Sequence, residues 1–322
     1  MHARCRLVLL VAAVAASPAG AQVWTPDHVV IVMEENHAYT QIIGSASAPY
    51  INGLISQGAL LTNGFAVTHP SQPNYVALFS GSTQGLTSDT TPTNLPFSTA
   101  NLGAELIAAH KTFAGFSEAL PSVGYTGDNA GGSSGYYRKH NPWVNWQQTA
   151  SGQANTMPTT VNQPYSAFPT DYTKLPTVSF VVPTQLNDMH DGTVAQGDSW
   201  LSTNMNGYVQ WTKTHNSLFI MLFDEDNSAN GNHIPEILVG QSVIAGSTSA
   251  QSVSHYNMLA TIQDMYGLPR TANSVGVGPL TGVFTPVPEP SALLLVTAAG
   301  AAITACRRRR EAGRPAPPEV RA

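Results

Sequence analysis

The chain has 322 residues, and only 10% carry a charged side chain, against roughly 25% in an average globular protein. That sparsity excludes a coiled coil or long solvated helix, and 42% hydrophobic residues exclude a disordered charged tail. A formal charge of −5 argues against the basic patch or stripe of a nucleic-acid binder.

The charge is unevenly placed. Residues 22–286 hold 6 Lys/Arg against 16 Asp/Glu, a net of −10, while the two ends hold 8 basic and 3 acidic residues. The N-terminal end reads as a secretory signal peptide, residues 1–21. Arg4 and Arg6 precede an apolar run from Leu7 to Ala16, and Ala19-Gly20-Ala21 fits a small-x-small cleavage site. Signal peptidase is the processing partner this implies. Both cysteines, Cys5 and Cys306, lie in the terminal segments. The body of residues 22–286 therefore has no disulfide, thiolate nucleophile or Cys-ligated zinc.

The body is sized for one α/β domain. Residues 28–33 are a continuous β-branched run, which predicts a buried strand. A helix over 49–57 starts with Pro49 in its first turn. A strand over 60–67, helices over 74–79 and 102–110 and a short strand over 112–116 follow. Residues 124–168 are rich in Gly, Ser, Asn, Pro and Gln and predict a long loop region. Apolar runs at 177–182 and 218–223 predict buried strands, and 199–213 and 253–266 fit helices. This alternation predicts a mostly parallel central sheet flanked by helices on both faces.

Ligands of such sheets bind at the carboxyl ends of the strands, and polar clusters follow four of the predicted strands. The first strand runs into Glu34-Glu35-Asn36-His37, polar groups that are costly to desolvate unless they bind something. A carboxylate beside an amide offers oxygen ligands to a divalent cation; a solvated loop with a helix cap is the plainer use. The second is followed by Thr68-His69-Pro70-Ser71-Gln72-Pro73-Asn74-Tyr75. Ser71 there is either a nucleophile beside a cation or a plain N-cap, and free N–H groups at the helix start attract an anion. The strand at 177–182 leads to Asn187-Asp188-Met189-His190-Asp191-Gly192, and the one at 218–223 to Asp224-Glu225-Asp226-Asn227. Adjacent carboxylates repel unless a cation or a proton relieves them; Asn, Asp and Gly also make ordinary turns. Tyr137-Arg138-Lys139-His140-Asn141-Pro142-Trp143 holds two of the body's six Lys/Arg together with His140, which suggests an anion site. His255 is either part of the site or a surface residue at a helix start.

At the C-terminus, Val287-Pro288-Glu289-Pro290 precedes a 16-residue apolar run, from Ser291 to Cys306, and then Arg307 to Arg310. This order resembles the PEP-CTERM sorting tail of exported Gram-negative proteins. The resemblance implies transient membrane anchoring by residues 287–322, cleavage by an exosortase and delivery to the periplasm, outer envelope or extracellular matrix. An ordinary tail anchor is the alternative.

The ordered set Val29-Val30-Ile31-Val32-Met33-Glu34-Glu35-Asn36-His37, Pro70-Ser71-Gln72-Pro73-Asn74-Tyr75, Lys139-His140-Asn141-Pro142-Trp143, Asn187-Asp188-Met189-His190-Asp191 and Phe223-Asp224-Glu225 resembles the bacterial phosphoesterase family. That family contains phospholipase C enzymes and acid phosphatases and belongs to the alkaline phosphatase superfamily. The resemblance implies an alkaline phosphatase-like fold and a phosphoester hydrolase. Glu35, Asn36, Asp224 and Glu225 match metal ligands, Ser71 matches the nucleophile, and His140 and His190 match phosphate-contacting catalytic residues. Asn74 falls with His140 and His190 on the substrate side of the set. Unperturbed imidazoles near pH 6.5 suit an acidic optimum. Oxygen ligands alone favour Ca or Mg, and histidine participation favours Zn or Fe. The continuation Asp226-Asn227-Ser228-Ala229-Asn230-Gly231 departs from the family's Gly-rich pattern and leaves Asp226 without a role, as are Asp188, His233 and His255. The expected substrate is a small-molecule or lipid phosphate ester. A phosphomonoesterase of acid phosphatase type comes first, then a phospholipase C or phosphodiesterase using the same site, then a non-catalytic envelope matrix protein.

Overall fold

The computed structural model describes residues 24–148 and 152–286. The expected signal peptide and sorting tail lie outside the described residues. Among those described, no helix is long and apolar enough to cross a membrane.

Continuous apolar runs build the centre of the sheet. Strand β1 (His28–Glu34) is buried from Val29 onward. Val29, Ile31 and Met33 join one core and Val30 and Val32 the other, so the two-residue period of a strand serves both faces. Strands β2 (Ala59–Phe65), β3 (Phe113–Ser117), β4 (Asn162–Pro164), β5 (Val178–Val182), β6 (Ser217–Phe223), β7 (His233–Gly240), β8 (Ser247–Ser249) and β9 (Val253–Ser254) complete the sheet. Its order is β8-β2-β7-β6-β1-β5-β3-β4, with β9 also on β2. Every pairing is parallel except those of β7 with β2 and β6. The predicted α/β architecture is the one observed.

Helices α1 (Pro49–Ile55) and α4 (Val194–Thr212) cover one face with Ile51, Leu54, Leu201, Met205 and Tyr208. Helices α2 (Ser71–Ser80), α3 (Leu102–Ala108) and α5 (His255–Met265) cover the other with Tyr75, Phe79, Leu102, Leu106 and Ile262. Burying each such side chain stabilises the fold by roughly 1.5–3 kcal/mol. Thr193 and Asn101 cap α4 and α3 through side-chain oxygens. Asp198, on α4, accepts the Tyr50 and Ile51 N–H groups at 3.0 and 2.8 Å and so ties α4 to the start of α1. Gly81 ends α2 at φ +77°, where a side chain would be strained.

Several elements differ from expectation, among them α4, which begins at Val194 rather than residue 199, and β8 and β9, which were not anticipated. Helix α2 begins at Ser71 rather than Asn74. The 124–168 region contains a two-stranded ribbon (Asn129–Ala130 with Tyr136–Tyr137), short 3-10 turns and β4. Strand β7 was not anticipated, because Pro235 and Glu236 interrupt its apolar pattern.

Glu236 is fully buried in β7 with both carboxylate oxygens unpartnered, and Gly64 on β2 leaves it room: a Cβ there would stand 2.4 Å from Glu236 Oε1. Burial raises its pKa to about 8 from an ordinary 4.5. The folded chain therefore keeps a proton that the unfolded chain has lost. This contribution is complete below about pH 4.5 and is lost as pH rises towards about 8. Thermal melts of Glu236→Gln should lose less stability than wild type between pH 5 and pH 9; parallel profiles would refute the assignment.

Candidate active site

Strands β5, β1 and β6 are parallel neighbours, so their carboxyl ends lie side by side. Main-chain bonds join those ends. The Glu35 N–H donates to the Asp188 carbonyl at 2.8 Å, and the Asp224 N–H to the Glu34 carbonyl at 3.0 Å. Asn36 turns at φ +54°, and its N–H donates to Asp224 Oδ1 at 3.1 Å, an oxygen that also accepts the Glu225 N–H at 2.7 Å. Glu35, Asp188 and Asp224 are fully buried by these turns, and Glu225 nearly so.

Ser71 is the first residue of α2, with Pro70 as N-cap and no side-chain cap, so the plain N-cap use does not apply. Its buried Oγ lies 3.1 Å from Glu35 Oε2 and 3.3 Å from Glu225 Oε1. An anion does sit at the helix start, and it is the protein's own: the Gln72 N–H donates to Asp89 Oδ1 at 2.9 Å. Asn74 is fully buried. Its Oδ1 accepts the Val67 and Thr68 N–H groups, both at 3.0 Å, and its Nδ2 donates to the Thr68 carbonyl at 2.8 Å. The structure thus places this amide in the loop that carries Ser71.

His140 sits deeper than expected. It is buried in a 3-10 turn (Arg138–His140) and stacks on Tyr75 at 5.1 Å. Its Nε2 is 3.0 Å from Glu35 Oε1, outside hydrogen-bonding geometry, and its Nδ1 is 3.5 Å from Asp188 Oδ2. Burial, then Lys139 and His190, push its pKa well below the usual imidazole range. The expected ordinary imidazole is therefore corrected to one held neutral, the form that ligates metals. His190 is half-buried, with Nδ1 2.7 Å from Asp191 Oδ1 and Nε2 3.3 Å from Lys139 Nζ.

The electrostatics favour a cation. Burial, then the neighbouring carboxylates Asp224 and Asp188, hold Glu35 well above the usual carboxylate range. Burial raises Asp188 likewise, and it takes Asp224 and Glu225 to about 7. Asp188 Oδ2, Asp224 Oδ2 and His140 Nε2 are buried with no hydrogen-bond partner. Glu35, His140 and Asp188 offer ligand atoms that all lie within 4.8 Å of one another. Glu35 Oε2 also accepts the Ser71 hydroxyl, which lies 3.3 Å from Glu225 Oε1. The residues present thus fit a divalent cation, and two of them, His140 and Asp188, stood outside the expected ligand set of Glu35, Asn36, Asp224 and Glu225.

Other residues gain places that sequence did not assign. The Tyr75 hydroxyl donates to Glu35 Oε1 at 2.5 Å. His69 spans Glu225 and Asp226, at 2.9 and 3.2 Å. Asp226 accepts the Ser228, Asn230 and Asn232 N–H groups, and so shapes the turn that replaces a Gly-rich continuation. Lys139 Nζ pairs with Asp89 Oδ2 at 3.0 Å; burial lowers its pKa, but Glu35, Asp89 and Asp224 outweigh this and raise it. Asp89 lies in a Ser/Thr/Pro-rich loop after no strand, where the only signal was an isolated charge in a body poor in charges. His255 is fully buried, its Nε2 3.1 Å from the Phe223 carbonyl, so it is not a surface residue. His233 stacks on Tyr39 and meets the Thr62 carbonyl.

A family model described as "Phosphoesterase family" matches residues 45–269. A phosphatidylinositol-3-phosphatase of Mycobacterium tuberculosis is 48% identical over 262 residues, covering 80% of this chain and 82% of its own. An acid phosphatase of Aspergillus fumigatus is 30% identical over 67% of this chain, which spans 50% of that relative's length. Among solved structures, a Vibrio parahaemolyticus protein of the alkaline phosphatase superfamily superposes with a TM-score of 0.55 at 14% identity, covering 81% of this chain and 72% of that one, a likeness of fold. With the family model spanning most of the described residues, the chain belongs to the phosphoesterase family and is a hydrolase of phosphoric esters.

Proposed function

We propose that the protein is an exported, metal-dependent phosphomonoesterase of acid phosphatase type, with Ser71 Oγ as its nucleophile. The observation that carries this reading is the position of Ser71: a buried hydroxyl between Glu35 and Glu225, beside buried carboxylates and an imidazole with unpartnered atoms. Monoester hydrolysis is favoured over the diester alternative because these relatives are named phosphatases, the Mycobacterium tuberculosis one a phosphatidylinositol-3-phosphatase. Export rests on the two terminal segments of the sequence.

Glu35, His140 and Asp188, with Asp224 and Glu225 adjoining, would hold the cation. Bound there, a divalent cation supplies positive charge that favours the ionised hydroxyl and polarises a phosphoryl oxygen. The mixed nitrogen and oxygen donors suit Zn or Fe better than Ca or Mg. The Ser71 proton passes to one of its two acceptors; Glu225, raised to about 7, is suited to take it near neutral pH. Lys139 and His190 stand beside these groups and orient the anionic oxygens of the ester. Asn74 and Asp89 hold the Ser71 turn from either side, which keeps the nucleophile aligned. Attack by Ser71 forms a phosphoserine and releases the alcohol, and water then regenerates the hydroxyl.

Two outcomes test the reading. With p-nitrophenyl phosphate, Ser71→Ala should lower kcat by at least about 10³-fold while leaving the melting temperature within a few degrees; retention of activity would exclude Ser71 as nucleophile. Dialysis against a chelator should abolish wild-type turnover, and one divalent cation from a panel of Mg, Ca, Mn, Zn and Fe should restore it. Full turnover after exhaustive chelation would exclude metal dependence.

A further inference from the structure

Beside Lys139 and His190 the protein has a cavity of about 480 Å³, within the roughly 300–1,000 Å³ range of small-ligand sites. Asp89, Asp128, Tyr137 and Gln185 share its wall with those two residues, and every lining side chain carries a polar group. Its wall is anchored to the active site. Lys139 Nζ bridges Asp89 Oδ2 and His190 Nε2. The Asp128 carbonyl accepts the Arg138 N–H at 2.9 Å, and the Asp128 carboxylate accepts the Thr91 hydroxyl. The same 3-10 turn, Arg138–His140, therefore carries a residue of the metal-donor group and two residues of the cavity wall.

We propose that this cavity receives the alcohol portion of the substrate and selects alcohols with several free hydroxyls, a polyol or sugar phosphate, over alkyl phosphates. The proposal rests on the phosphomonoesterase reading, because it takes the bond cleaved at Ser71 to join phosphate to the group in the cavity. Hydroxyls both donate and accept. Asp89 and Asp128 are acceptors for ligand O–H groups, and charge-assisted bonds of this kind are the strong ones. Gln185 and Asn129 offer amides that can do either. An alkyl chain would strip water from these groups and return no hydrogen bond, the situation in which a polar site rejects an analogue most strongly. An acyl or alkyl ligand site would instead be lined largely by apolar side chains.

D-Sorbitol 6-phosphate and n-hexyl phosphate share a six-carbon chain and differ in their hydroxyls, so they isolate this selectivity. The wild-type protein should show a kcat/KM at least about 10-fold higher for the sorbitol ester. Asp128→Ala should reduce that ratio about 10-fold. Asn129→Ala should reduce the ratio less, and serves if Asp128→Ala does not fold. Calorimetric binding of both esters to Ser71→Ala reads the same preference without turnover. Equal kcat/KM and equal binding for the two esters would overturn the cavity assignment and leave the phosphomonoesterase reading intact. Selective binding of the sorbitol ester with no turnover of either ester or of p-nitrophenyl phosphate by wild type would support the cavity as a polyol site and overturn the phosphomonoesterase reading.

Discussion

Four carboxylates, those of Glu35, Asp188, Asp224 and Glu225, are packed out of water at the carboxyl ends of three neighbouring strands. Removing one such charge from water costs several kcal/mol, and bringing like charges together adds to that cost. The surrounding architecture answers this constraint. Two main-chain bonds pin the three strand ends together, the Tyr75 and Ser71 hydroxyls donate to Glu35, and the Asn36 and Glu225 N–H groups converge on Asp224. Lys139 adds one positive charge nearby. After these bonds are made, atoms of Asp188, Asp224 and His140 still have no partner, and a divalent cation is the group whose chemistry answers that remainder.

This also gives meaning to the sparse charge of the chain. Where acidic residues are few, their placement is informative, and the body's density of buried carboxylates falls where β1, β5 and β6 end. Two other buried acids behave differently. Glu34, on the strand that delivers Glu35, is fully buried and held well above the usual carboxylate range by burial first and by Asp188, Asp198 and Glu118 next. Glu236 lies within the sheet and is neutral for the same primary reason. Neither belongs to the donor group around Glu35, which distinguishes a carboxyl tolerated in a core from one positioned to bind.

The central strands were legible in the sequence because a strand covered on both faces is a continuous apolar run: 29–33, 178–182 and 218–223 need no neighbour to identify them. The polar clusters that follow were legible for a related reason, since four charged or amide groups after such a run have no use in a core. What sequence could not supply was distance. His69, Tyr75, Asp89 and Lys139 join the site through loops and helix faces whose approach is set by packing between distant segments. Asp188 gains its place beside His140 because β5 lies next to β1, a topological fact that spacing does not encode. Strand β7 was missed because its identity depends on antiparallel neighbours that tolerate Pro235 and leave a glycine against the Glu236 side chain. His255 was ambiguous because a histidine at a helix start is buried or exposed according to what lies above it, here the end of β6.

The most direct measurement of whether the carboxylate cluster is a cation site is the thermal stability of chelator-stripped protein titrated with divalent cations. Wild type should gain several degrees in melting temperature with the activating cation, since a ligand bound only by the folded state stabilises it. Asp188→Asn and Asp224→Asn should lose most of that gain while melting no lower than stripped wild type, because each removes a buried charge. A melting temperature that no cation shifts, or a shift unchanged in both variants, would contradict a metal centre at these residues.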